Sequence, residues 1–290
     1  SGTVRLDQST DGTYSGAMSG TGSLEKNGSG NVTLGGVNTY SGSTTVNDGT
    51  LALSSSLASS AVTINSGGTL KGAVVRGDLT VNSGGRLSPE LSGSGLSVED
   101  TTFQGGGVFE WTVNNVTGSS GSNWAYLDSS GSLNVAASTA NPFIVEASTL
   151  SGSGFDPEAK KYEWEFASFD GGIDNFSRDA FSVDGSGMTG ADGRFYVTEE
   201  NDILTLVYKT AAVWNSGTGN WSATALWEDS SEPENTDNIE FVGAGGISTN
   251  DNYITTIDGL LFTSDVSGAY TLDGSAISIT LEGIINESSE

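Results

Sequence analysis

The chain has 290 residues, of which 36 are acidic and 10 basic, with 42 glycines and neither His nor Cys. Without an imidazole or a thiol there is no His-based triad, no Cys nucleophile and no zinc site built on those ligands. The formal charge of −26 repels phosphate backbones and anionic lipid, so no nucleic-acid partner is expected. No apolar run is long enough to insert in a membrane. No basic segment followed by an apolar stretch opens the chain, so any secretion signal is expected outside these residues.

Gly, Ser, Thr and Asn together supply close to half of the chain. Six Trp and recurring Val, Ile and Leu argue against disorder and for a β-rich fold with many tight turns. No segment sustains the apolar spacing of an amphipathic helix.

In chain order, a repeat comes first. Thr44-Thr45-Val46-Asn47-Asp48-Gly49-Thr50-Leu51 is followed by Val62-Thr63-Ile64-Asn65-Ser66-Gly67-Gly68-Thr69-Leu70 and by Leu79-Thr80-Val81-Asn82-Ser83-Gly84-Gly85-Arg86-Leu87. Ser29-Gly30-Asn31-Val32-Thr33-Leu34-Gly35-Gly36 reads as an earlier, weaker copy. Each copy is strand, Asn-Gly turn, strand, a unit too small to bury its own apolar face; stacked copies make the continuous core of a β-solenoid. Stacking would place Asn47, Asn65 and Asn82 above one another as a side-chain hydrogen-bond ladder. Antiparallel hairpins with Asn-Gly turns are the alternative. Residues 1–100 are therefore expected to form a solenoid of 17–18-residue repeats.

Over 101–210 the repeat fades and Phe103, Phe109, Trp111, Trp124, Phe143, Trp164 and Phe166 enter. This stretch is expected to be an antiparallel β-section. Tyr162-Glu163-Trp164-Glu165-Phe166 alternates strictly, with its carboxylates outward. A hairpin with a four-residue loop is expected at Glu199-Glu200-Asn201-Asp202. Residues 211–290 hold Trp214, Trp221 and Trp227 and then short apolar strands at solenoid-like spacing. No basic residue follows Lys209, whereas 13 acidic residues do.

Asn38-Thr39-Tyr40-Ser41-Gly42-Ser43-Thr44-Thr45-Val46-Asn47-Asp48-Gly49-Thr50-Leu51 resembles the autotransporter-associated β-strand repeat, whose usual form is N-T-Y-T/S-G-G-T-T-V-N-G-G-T-L. Ser43 and Asp48 replace two of its glycines. Leu87-Ser88-Pro89 matches a common ending of that family, and the Trp-rich section resembles what precedes such repeats in large bacterial surface proteins. The resemblance implies an all-β fold, a right-handed parallel β-helix, and a location outside the cell or on the bacterial surface. No membrane barrel of the kind that exports such passengers is present in these residues.

The only catalytic candidates are carboxylate pairs, Asp170 with Asp174 or Glu163 with Glu165. They lack a basic clamp for an anionic sugar, so no enzymatic activity is expected. Asp237, Glu240 and Asp251 are candidate oxygen ligands for Ca²⁺, although turn chemistry also accounts for them. Trp214, Trp221 and Trp227 are either a sugar-stacking platform or a buried cap. The expected function is a structural or adhesive module whose partners are copies of itself, joined head to tail by strand addition. The edges expected to meet are Thr3, Val4 and Leu6 at one end, and Ile277, Ile279, Leu281, Ile284 and Ile285 at the other. A glycan-binding surface module is the rival reading.

Overall fold

The computed structural model describes all residues except 1, 59, 60, 73, 92, 94, 158–160, 192, 215–217, 224, 225, 228–232, 234–237, 243, 252, 253, 263–265, 267, 268 and 287–290. Among the described residues there is no α-helix, and Arg178–Ala180 forms a single 3₁₀ turn.

Short β-branched runs between glycine-bearing corners fold as strands, and strands this short gain stability only by stacking. One sheet of eight strands runs from Thr3–Leu6 through Ser23–Lys26, Thr44–Val46, Val62–Ile64, Leu79–Val81, Thr101–Gln104 and Leu133–Ala136 to Ile173–Asp174. A second runs from Gly12–Tyr14 through Val32–Leu34, Gly49–Leu53, Gly68–Gly72, Arg86–Pro89, Val108–Val113 and Phe143–Thr149 to Phe181–Gly187. The chain alternates between the two sheets, and successive strands within each pair in parallel, so every circuit adds one rung to a solenoid.

Strict register makes the interior a set of columns. Leu6, Lys26, Val46, Ile64, Val81, Phe103 and Val135 stack in one, and Tyr14, Leu34 and Leu53 in another. Val32-Thr33-Leu34, expected as an early copy of the repeat, instead pairs with Leu51–Leu53 on the second sheet. The true earlier copy on the first sheet is Leu24-Glu25-Lys26-Asn27, disguised because Lys26 stands where the other rungs place Val or Ile.

The antiparallel expectation for 101–210 is corrected by the pairing. Thr101–Gln104, Val108–Val113, Leu133–Ala136, Phe143–Thr149 and Phe181–Gly187 all pair in parallel, and both sheets run unbroken across residue 100. A third side, opened by Leu57–Ala58 and Val75–Arg76 in parallel, continues here with Leu96–Val98, Leu127–Ser129 and Lys161–Phe169, also in parallel. Larger side chains fill the interior of these rungs. Phe103 stacks on Phe143 at 4.0 Å, and Trp111 lies 5.0 Å from Trp164 between ring centroids. The aromatics belong to the solenoid interior rather than to a separate layer. Glu163 and Glu165 do alternate outward from Tyr162, Trp164 and Phe166.

The expected hairpin is present with a shorter loop. Arg194–Glu200 and Ile203–Lys209 are neighbours joined by Asn201 and Asp202 alone, at φ 53° and 62°. Two consecutive left-handed residues make a type I′ turn, which Asn and Asp tolerate.

The chain divides into two compact units, one of residues 1–157 and 162–208 and one of residues 158–161 and 209–290. The second unit has its own core around Trp214, Trp221, Trp227, Ile239, Phe241 and Ile257. Its sheets are also parallel: Ala212–Trp214, Asn238–Phe241, Thr256–Phe262 and Ser278–Asn286 form one, and Gly219–Asn220, Gly246–Asn250 and Tyr270–Gly274 the other.

Candidate interaction site at the open solenoid ends

In a solenoid each rung covers the core of the one before it, and soluble repeat proteins normally finish with a polar cap. Among the described residues, the outermost strands carry partly exposed apolar residues in inward-facing columns. Val4 is 50% exposed, although its column partner Leu24 is buried. Tyr14 is 46% exposed above buried Leu34. In the second unit Leu272 is 38% exposed beside buried Ser248, and Ile284 63% exposed beside buried Leu260. Four of the seven large exposed apolar residues among those described thus lie in four terminal strands. Next to Val4 a cavity of about 160 Å³, lined by Val4, Met18, Gly22, Leu24 and Tyr40, opens into the first rung.

Polar side chains order the same rungs. Asn82 Nδ2 donates to Asn65 Oδ1, Asn65 to Asn47 and Asn47 to Asn27, each at 2.7 Å. Asn27 then donates to Asp7 Oδ1 at 2.8 Å. The ladder ends on a residue that can only accept. Lys26 is buried in the column beside it, and its ammonium donates to the carbonyls of Gly28 and Asp48, the latter at 2.8 Å. Burial pushes the Lys26 ammonium below its usual value, against a smaller opposing pull from Asp48.

On the outer face of the second sheet, Arg86 reaches across two rungs to Glu110 at 2.6 Å and to both oxygens of Glu146. The hydrogen bond to Glu146 is the main cause of its raised pKa. A guanidinium engaged in this way offset the repulsion of stacked carboxylates; it is not an open clamp for an anion.

The sequence-derived site residues separate accordingly. Thr3, Val4 and Leu6 lie on the first strand of one sheet, and Ile279, Leu281, Ile284 and Ile285 on the last strand of another, with Ile277 just before it. The side chains of Leu281 and Ile285 lie outside the described residues. The other half of each end, Gly12–Tyr14 and Tyr270–Gly274, is missing from that expectation because strands this short give little alternation to read.

Trp214, Trp221 and Trp227 are all buried, which agrees with the buried-cap reading of the two: no ring face is open to a pyranose. Trp214 and Trp227 pack edge to face at 5.0 Å, Trp221 Nε1 donates to Ser248 Oγ at 2.5 Å, and Trp227 Nε1 to the Trp221 carbonyl at 2.8 Å. Of the cation candidates, Asp237 lies outside the described residues. Glu240 lies on the strand Asn238–Phe241, whereas Asp251 follows a strand of the other sheet. Asp251 accepts from the Ser222 hydroxyl and backbone, and the hydroxyl bond is the main reason its carboxyl is held below the usual range. Among the described residues no three carboxylates cluster closely enough to hold a metal.

Against known proteins, the family model of the passenger-associated-transport-repeat matches residues 24–53. The match starts at the Leu24-Glu25-Lys26-Asn27 rung and ends with the strand Gly49–Leu53. Residues 24–53 are similar to a passenger-associated transport repeat. Over 80 residues the chain is also 40% identical to a protein of Brucella suis biovar 1 (strain 1330) named adhesin BmaC autotransporter. That stretch is 27% of this chain and 2% of the relative, so the chain spans a small part of that protein's length. In the passenger repeat itself, the first and second sheets, the Asn ladder and buried Lys26 meet within one rung and a half.

Proposed function

We propose that this chain is a non-enzymatic structural and adhesive module of the bacterial surface, a solenoid that extends end to end by strand addition. The observation that carries the reading is the set of apolar core positions left half open on the terminal strands, Val4, Tyr14, Leu272 and Ile284. A rung laid on such an end satisfies unpaired N–H and C=O groups and covers the apolar columns together. The passenger repeat and the adhesin name of the relative support a surface location and an adhesive role.

Energetics set the regime. Covering a fully exposed aliphatic or aromatic side chain is worth about 1.5–3 kcal/mol, and these four are half covered already, so roughly 3–6 kcal/mol is available from them. Association costs at least about 4 kcal/mol, so the joint depends on its new strand hydrogen bonds and is concentration-dependent. Sedimentation velocity over a range of concentrations, with electron microscopy of the same samples, tests this. Growing linear species are expected. Monomers at every concentration, with both terminal strands intact by mass, refute it.

A further inference from the structure

In the middle of the chain, the outer face of the second sheet carries an open groove. Two columns of side chains run along it. Glu110, Glu146 and Asp184 stack in one, and Thr112, Ser148 and Gly187 in the other. Neighbours within a column lie about 4.8 Å apart, and the columns, two residues apart on each strand, about 6.6 Å. The cavity they line, with Arg86 at one end, measures about 240 Å³. Resting on the adhesive reading above, we propose that this groove binds one neutral sugar residue of a glycan.

Backbone makes the space. Glu146 pairs with Asp184 and Ser148 with Gly187, so Gly185 and Ser186 together stand opposite Ala147 alone. Such a bulge bends its strand and re-aims the side chains on it. The hydroxyl column then stops at Gly187, where a Cβ would stand 2.8 Å from that of Ser148. A side chain at this position would crowd the groove.

The lining mixes fixed donors with fixed acceptors. Arg86 uses three of its five guanidinium N–H groups on Glu110 and Glu146, which leaves two. Those bonds hold both carboxylates in place, yet all three side chains remain partly exposed. The Thr112 and Ser148 hydroxyls lie 3.2 Å apart and keep lone pairs free to accept. Asp184 accepts from Ser186, whose hydroxyl and N–H hold its carboxyl below the usual range, so it remains an ionised acceptor. Sugar hydroxyls donate and accept at once, and a ring presents several of them along one edge. Charge narrows the class. Three carboxylates against one guanidinium repel uronic and sialic acids and leave neutral sugars. Among the described residues no aromatic side chain lines the groove, so hydrogen bonds alone hold the ring. A single site is therefore weak, with a dissociation constant of roughly 1 mM, and linked copies gain by avidity.

Saturation-transfer NMR of the full chain tests this with methyl glycosides of glucose, galactose, mannose and N-acetylglucosamine, and with glucuronate and N-acetylneuraminate for comparison. Saturable binding of at least one neutral sugar is expected, and none of the acidic pair. Asp184→Ala removes a charged acceptor and should weaken binding about tenfold or more. Thr112→Tyr suits a strand but fills the groove, and should abolish binding. Asp184 is exposed, so its variant is expected to keep the parent unfolding midpoint whatever the larger substitution does. No saturable binding by the parent, equal or tighter binding of the acidic sugars, or binding unchanged in either folded variant overturns the proposal. Sedimentation of the same samples reads end-to-end growth separately. Growth without sugar binding refutes the groove and leaves the solenoid joint standing; sugar binding by a protein that stays monomeric does the reverse.

Discussion

Changing Asn65 tests the polar ladder where it is most constrained. Asn65 both donates to Asn47 and accepts from Asn82, at 2.7 Å each. Asn65→Ala removes two neutral hydrogen bonds, each worth about 0.5–1.5 kcal/mol net. The site is half-buried, so water recovers part of that loss, and about 1–2 kcal/mol is expected. For a unit of this size that lowers the midpoint of thermal unfolding by roughly 2–8 °C. Asn65→Asp should be worse at neutral pH. A carboxylate still accepts from Asn82 but confronts the Asn47 carbonyl oxygen with a second acceptor, which raises its pKa in the folded state. The folded protein then holds the extra proton, so the deficit is full above that raised pKa and shrinks as pH falls through it. Asp7→Asn should cost less than Asn65→Ala, because position 7 only accepts from Asn27 and the new amide oxygen keeps that bond while losing its charge assistance. Calorimetry of the three variants at neutral and acid pH reads all of this. Equal losses for Ala and Asp at both pH values, or a loss at Asp7→Asn matching that at Asn65, would refute the ladder argument.

Lys26 gives a pH signature of its own: its folded pKa lies below 10.5, so stability should rise with pH between the lowered value and 10.5, and Lys26→Met should lack that rise in alkaline unfolding curves. Trp221→Ala should cost about 3–5 kcal/mol and unfold the second unit, seen as loss of its calorimetric transition, because the ring is core and its N–H bonds buried Ser248. Val4→Asp and Leu272→Asp should each leave the unfolding midpoint within a degree or two, since both side chains are already open, yet abolish higher species in sedimentation. Gly274→Ala should destabilise the last rung, detectable as faster amide exchange over 270–286, because φ 95° and the Asn250 carbonyl leave a methyl no room.

Legibility followed chemistry that repeats. Val46, Ile64 and Val81 fall in one register, and Asn47, Asn65 and Asn82 form the ladder, because a turn needing Asn and Gly at fixed offsets leaves a mark in every copy. The rung at Leu24–Asn27 was hidden by Lys26, since a buried ammonium satisfied by two carbonyls looks polar in a sequence. Phe103 and Trp111 suggested a new layer because aromatic size signals burial without saying against what; only the register with Val81 and Arg86–Leu87 shows the solenoid continuing. At the ends, Thr3–Leu6 was legible as an edge, whereas Tyr14 and Leu272 became visible only when their columns were found uncovered.

The ladder from Asn82 to Asp7 has one further property. All of its amides point the same way, with N–H toward the first rung and C=O toward later ones. Aligned dipoles add, as peptide dipoles do along a helix, and leave partial positive charge at the donor end. The Asp7 carboxylate sits at that end, where an anion is favoured. The row of neutral turn residues is thus a small electrical axis running along the solenoid, with its counter-charge built into the opening rung.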